Sequence, residues 1–113
     1  SSMGAANKLD PTKFEITDLQ KTSYDPVAKV IRTKLKKEKV SGKIPVIYST
    51  ERPIIGREDT LKIVGKEDSE VRKQQLPPAS NAFVPSVAGL IAASYVINEL
   101  TKSIKVKRKG DPA

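Results

Sequence analysis

From Phe14 to Leu19 apolar and polar side chains alternate, which is the period of a half-buried strand, with Phe14, Ile16 and Leu19 on its expected inner side. At Asp25-Pro26 the pattern changes. An Asp carboxylate accepts a bond from a free N–H of a first helical turn, and Pro at the first helical position loses nothing by lacking a donor, so this pair predicts a helix start. Val27, Ile31 and Leu35 then recur at i+4 with Ala28 and Val30 beside them, forming an apolar stripe, and Lys29, Arg32, Thr33, Lys36 and Lys37 occupy the other face. Ser41-Gly42 ends this helix. The β-branched run Ile44 to Ser49 predicts a second strand with Pro45 at its start or at a sheet edge. Strand, helix and strand together suggest a βαβ unit with a right-handed crossover.

Beyond this unit the order weakens and then returns. Residues 51–80 are charged and interrupted by Gly56, Gly65, Pro77 and Pro78; Leu61 to Val64 is at most a weak strand, and the segment reads as a long mobile connection. From about Pro85 to Thr101 the chain is apolar on nearly every side of a helix, through Val87, Leu90, Ile91, Tyr95, Val96, Ile97 and Leu100. Such a helix is buried on several sides or lies in a membrane. The run is shorter than the roughly 20 apolar residues of a span, and Pro85, Ser86 and Ser94 interrupt it, so no membrane insertion is expected. The remaining elements are too few to cover it, which calls for another chain segment or a second subunit, and a homodimer is expected. Asn81, Ser80 and Ser86 are candidate caps for this helix. Residues 103–113 read as a basic tail that frays.

Composition narrows the chemistry. The 113 residues suffice for one small domain and contain no Cys and no His, which excludes a disulfide framework, a Cys/His zinc site, a thiol nucleophile and an imidazole base within this chain. The formal net charge of +8 favours polyanions such as RNA. There is neither a basic n-region nor an apolar stretch at the N-terminus, so no secretory signal is expected and the protein is placed in the cytoplasm. The chain opens on the small-residue sequence Ser1 to Asn7 without an initiator Met, which looks like a cut inside a larger domain.

The ordered set of motifs resembles one family. Ser2-Met3-Gly4-Ala5 with Lys8-Leu9-Asp10-Pro11-Thr12, then Thr17-Asp18-Leu19, Lys21-Thr22, Asp25-Pro26-Val27-Ala28-Lys29 with Arg32, Tyr48-Ser49-Thr50-Glu51, and Pro78 through Leu90 are similar, in this order, to the C-terminal part of the tRNA threonylcarbamoyladenosine dehydratases. Those enzymes belong to the ubiquitin-activating-type adenylating enzymes, which include the activators of sulfur-carrier proteins. The resemblance implies an α/β class: the C-terminal portion of a Rossmann-like adenylating domain, a short mixed sheet with covering helices. It implies ATP and Mg2+ as cofactors of the complete enzyme, and tRNA as its partner. It also implies an adenylated carboxylate on the route to cyclic threonylcarbamoyladenosine at position 37 of certain tRNAs.

This chain departs from the family in two ways. A Gly-rich phosphate loop is absent, and the resemblance places it, with the residues that contact ATP and magnesium, upstream of Ser1 in a missing N-terminal half. The fragment alone is therefore expected to be inactive and to bind no cofactor, with no catalytic residue and no metal ligand of its own. No Cys precedes the last helix, which argues against a thioester in this half. Gly4, Lys8 and Asp10 are candidates for the edge of the adenylation pocket, since loops after strands build ligand sites in such sheets. Lys29, Arg32, Lys36, Lys37, Arg52 and Lys73 are candidates for tRNA contact, with a solvated basic surface as the alternative. Two other readings stay open: an activator of a small sulfur-carrier or ubiquitin-like protein, and a non-catalytic basic RNA-binding module.

Overall fold

The structure is a computed structural model that describes residues 1–55 and 78–112. Its elements are β1 (Phe14–Asp18), α1 (Pro26–Lys37), β2 (Pro45–Ser49) and α2 (Val84–Leu100), with 3-10 turns at Pro11–Lys13 and Leu19–Lys21. Most of the connection expected over residues 51–80 lies outside the described residues, and with it Arg57, Leu61 to Val64, Arg72 and Lys73.

Strand β2 is central. Val46, Ile47, Tyr48 and Ser49 are buried in succession, as the continuous β-branched run requires when both faces of a strand are covered. Exposed Pro45 stands at its start. On one side β1 pairs with it antiparallel, Phe14 opposite Ser49 and Asp18 opposite Pro45. On the other, Ser2 bridges Ile47 in parallel, with Met3 N donating to Ile47 O and Ile47 N donating to Ser1 O, both at 2.8 Å. The sheet is therefore short and mixed, as expected.

The crossover is not as expected. β1 and β2 are antiparallel, because the turn at Leu19–Lys21 reverses the chain where β1 ends and Leu19 N donates to Ile44 O at 2.9 Å. β2 thus begins beside the end of β1, and α1 is an excursion between neighbouring ends, not a βαβ crossover. The parallel neighbour of β2 is the segment at Ser1 to Met3.

Alternation along β2 sends Val46 and Tyr48 toward α1 and Ile47 toward α2. The core on the α1 side joins Met3, Leu19, Ala28, Val46 and Tyr48, with Ile31, Leu35 and Ile44 packed against it. The stripe of α1 is therefore Ala28, Ile31 and Leu35. Val27, expected in it, is largely exposed, because the cap at Asp25 phases the helix so that Ala28 is the residue turned fully inward. Leu19 is buried as expected, but in the 3-10 turn beyond the strand. Ile16 lies on the α2 side and stays 41 % exposed.

Helix α2 touches the rest through Val84 and Ala88, against β2 and the first 3-10 turn. Asn81 Oδ1 accepts from the amides of Phe83 and Val84 at 3.0 and 2.9 Å, so the expected cap is Asn81. Ser86, in the first turn of the helix, instead donates to the carbonyl of Ala82 just before it. Farther along, the helix parts from the sheet and leaves a groove of about 260 Å³ lined by Ser1, Ser2, Ile16, Ile47, Tyr95 and Val96. Leu90 and Leu100 are 70 % and 74 % exposed, so among the described residues this apolar helix is uncovered over most of its length. No helix among the described residues is long and apolar enough to cross a membrane.

Among the described residues Leu19 is the largest fully buried side chain, and it sits in the turn that brings β2 back to β1. Leu19→Ala in the full-length protein is expected to lower stability by about 3 kcal/mol, as read by chemical denaturation.

Candidate functional site

The C-terminal end of β2 gathers four stretches of chain: Gly4 to Asp10, the turn at Tyr24-Asp25, Thr50 to Ile55, and the segment before α2. Ligands of open α/β sheets bind at this end of the strands. Lys8 is 3 % exposed, and its Nζ donates to the carbonyl of Ser49 at 3.2 Å. Glu51, just past the strand, accepts from Leu9 N at 2.9 Å and from Asp10 N at 2.7 Å. One carboxylate thus satisfies two loop amides that have no ladder partner, and the Lys8 ammonium feels the charges of both Asp25 and Glu51.

Asp25 is 5 % exposed; its Oδ1 accepts from Ala28 N at 3.0 Å as the cap of α1, and its Oδ2 has no partner among the described residues. Gly4 passes directly over this cap. A Cβ there would stand 3.3 Å from Val27 Cγ2, tighter than a methyl group normally packs, and 3.5 Å from Asp25 Oδ1, an ordinary contact. Asn7 and Tyr24 both adopt left-handed backbone conformations, φ 60° and 54°, which non-glycine residues hold only where surrounding contacts compel them. For Asn7 those contacts are clear. Its N donates to Ala79 O and its O accepts from Ile54 N, both at 2.8 Å, and its Oδ1 accepts from Ala79 N at 3.1 Å. At the rim, the Arg52 guanidinium lies 4.9 Å from the Tyr24 ring centroid and donates to its hydroxyl at 3.2 Å.

Burial pushes the Lys8 amine below its usual range, and the carboxylates of Asp25 and Glu51 oppose that shift. The Asp10 carboxyl is held below its usual range mainly by the hydroxyl and amide of Thr12.

Of the expected pocket-edge residues, the fold brings Gly4 and Lys8 into the cluster. Asp10 contributes only its backbone amide, while its side chain turns outward to cap the 3-10 turn at Pro11–Lys13. Arg52 stands at the rim. Lys29, Arg32, Lys36 and Lys37 lie along α1, and Lys73 is outside the described residues. Sequence reasoning named Glu51 only within the Tyr48 to Glu51 motif and did not propose Glu51, Asn7 or Tyr24 as site residues. An acid directly after a buried strand is a usable signal for Glu51; the left-handed positions of Asn and Tyr leave no mark in the sequence.

The described residues do not form a triphosphate cradle. At the start of α1 the Asp25 carboxylate takes the amide of Ala28, and at the start of α2 Asn81 takes those of Phe83 and Val84, so a negative or polar side chain already occupies each helix N-terminus. No group of three acidic, His or Cys side chains that could hold a metal ion occurs among the described residues.

No protein-family model matches the chain. It is 56 % identical over 111 residues to a tRNA threonylcarbamoyladenosine dehydratase of Bacillus subtilis (strain 168), matching 98 % of this chain and 44 % of that protein. Nearly the whole of this chain is thus similar to part of a tRNA threonylcarbamoyladenosine dehydratase. The dehydratase of Escherichia coli (strain K12) is 30 % identical over 118 residues, 95 % of this chain and 43 % of its own length. The crystal structure of the E. coli enzyme in complex with ATP superposes with a TM-score of 0.66 at 25 % identity, over 90 % of this chain and 37 % of that one. The α/β architecture expected from sequence is thus the one these Rossmann-like dehydratases share. The chain spans less than half the length of these relatives.

Below its lowered native pKa, Lys8 is a buried ammonium in the folded protein and a solvated one in the unfolded chain. Between that value and 10.5 the native state has released the proton and the unfolded chain still holds it, so stability rises with pH across this window. The stability of the wild type relative to Lys8→Met is expected to improve as pH approaches 10.5, measured by urea denaturation of the full-length protein. A difference that stays constant with pH contradicts this arrangement.

Proposed function

We propose that this chain is the C-terminal part of an ATP-dependent enzyme that cyclises threonylcarbamoyladenosine in tRNA through an adenylated carboxylate. The observation that carries the reading is similarity along nearly the whole chain to dehydratases of that name, joined to a cluster at the strand ends that is organised but lacks a phosphate cradle. In this reading the upstream part binds ATP with Mg2+. Adenylation converts a carboxylate oxygen into a leaving group, and ring closure expels AMP, so that one water is lost overall.

The described residues contribute one wall. Lys8 and Glu51 hold the Gly4 to Asp10 loop against the end of β2, and the missing side chain of Gly4 lets that loop lie close on the α1 cap at Asp25 and Val27. Arg52 and the basic face of α1 are candidates for tRNA contact. A protein acting on tRNA with these components works in the cytoplasm.

In the full-length protein, loss of one water from threonylcarbamoyladenosine-containing tRNA should require ATP, as read by mass spectrometry of the digested nucleosides, and should be absent for this chain alone. Adenylation of only a carrier-protein C-terminus would overturn the substrate assignment.

The exposed face of α2 at Leu90, Val96, Ile97 and Leu100 suits a second copy of the protein, since apolar surface of this kind is normally covered. Light scattering of the full-length protein is expected to give a dimer, and a stable monomer removes that part of the proposal.

A further inference from the structure

The C-terminal half of α1, the turn at Leu19–Lys21 and the chain at Val40 to Gly42 enclose an open cleft of about 490 Å³, lined by Gln20, Arg32, Thr33, Lys36, Ser41 and Gly42. Its charge is one-sided. Two cations and no carboxylate line it among the described residues, and α1 carries Lys29, Arg32, Lys34, Lys36 and Lys37 with no acid. The nearby Asp18 is engaged, its Oδ1 accepting from Gln20 N at 3.2 Å.

Lysines in a last helical turn complement the helix dipole, and that alone accounts for Lys34, Lys36 and Lys37. It does not account for Arg32. This side chain is half-buried, and its Nη1 donates to the carbonyl of Thr22 at 3.3 Å and to the Thr22 hydroxyl. The hydroxyl itself donates to Leu19 O at 2.7 Å, so the anchor is part of the buried turn. One edge of the guanidinium is thereby fixed to the cleft wall while its other N–H donors make no bond among the described residues. A fixed planar fork with free donors matches the oxygens of a phosphate. Lys29, Arg32 and Lys36 also recur on one side of α1 over about 10 Å, a row that suits a chain of phosphates better than a single anion.

We infer that this cleft is a subsite for an RNA phosphodiester, with Arg32 as the oriented donor, Lys36 as the second charge, and Gln20 and Ser41 as neutral partners. The inference rests on the tRNA reading above and gives it a location, some distance along α1 from the loop cluster at the end of β2.

Lys36→Gln in the full-length protein tests it, because the Lys36 amine makes no hydrogen bond among the described residues and its loss leaves the fold intact. Affinity for threonylcarbamoyladenosine-containing tRNA is expected to fall about five-fold at 0.15 M salt, with the slope of log affinity against log salt flattened by about 0.9. KM for tRNA should rise with kcat unchanged. Arg32→Gln is expected to act in the same direction, and thermal unfolding shows whether it also loosens the Thr22 turn. If the wild type binds tRNA and Lys36→Gln binds it equally, with the same salt slope, the subsite is wrong and the enzymatic reading stands. If the wild type binds no tRNA at low salt, both fall together.

Discussion

Burial of β2 on both faces governs the described structure. A strand with helices above and below must satisfy its backbone through its neighbours, and here it does so with β1 on one edge and the Ser1 to Met3 segment on the other. Where β2 ends, its last carbonyl is met by a lysine ammonium instead of another strand. That bond, with Glu51 holding the two amides beyond Lys8, turns the end of a strand into an ordered surface. The Asp25 cap does the same for the adjacent helix. The candidate site is thus a direct consequence of how the sheet terminates.

The same constraint explains why the molecule is open. The α1 side of the sheet is closed by Ala28, Ile31 and Leu35, whose sizes fit the space over Val46 and Tyr48. The α2 side is closed only near Val84 and Ala88, after which helix and sheet diverge around Ile16 and Tyr95. A helix with apolar side chains in every direction gains little from one shallow contact. Its exposed side chains are what a segment shorter than half of its relatives would show where the remaining chain or a second copy is to pack.

Local signals were legible where local physics decides. Asp25-Pro26 marked the start of α1, the β-branched run marked β2, and the all-round apolar stretch marked α2 together with its shortage of cover. Strand direction was not legible, because it depends on where Leu19 and Ile44 meet, a contact between residues distant in sequence. Lys8 could be suspected from its place in a loop, but not its burial, which depends on Ser49 and Glu51 arriving from β2. The outward turn of Asp10 follows from Thr12 two residues later, and a short capping pattern of that kind was available to sequence reasoning. Arg32 read as one more cation on a basic face; only its bond to Thr22 separates it from the lysines around it.

The central claim is that the loop from Gly4 to Asp10 forms part of a nucleotide-using site completed by the rest of the protein. Amide hydrogen exchange of the full-length protein, with and without saturating ATP, tests this most directly. The account predicts added protection across Gly4 to Asp10 and at the start of α1, with exchange in the tail beyond Lys102 unchanged. ATP binding that leaves the exchange of Gly4 to Asp10 unaltered would contradict it.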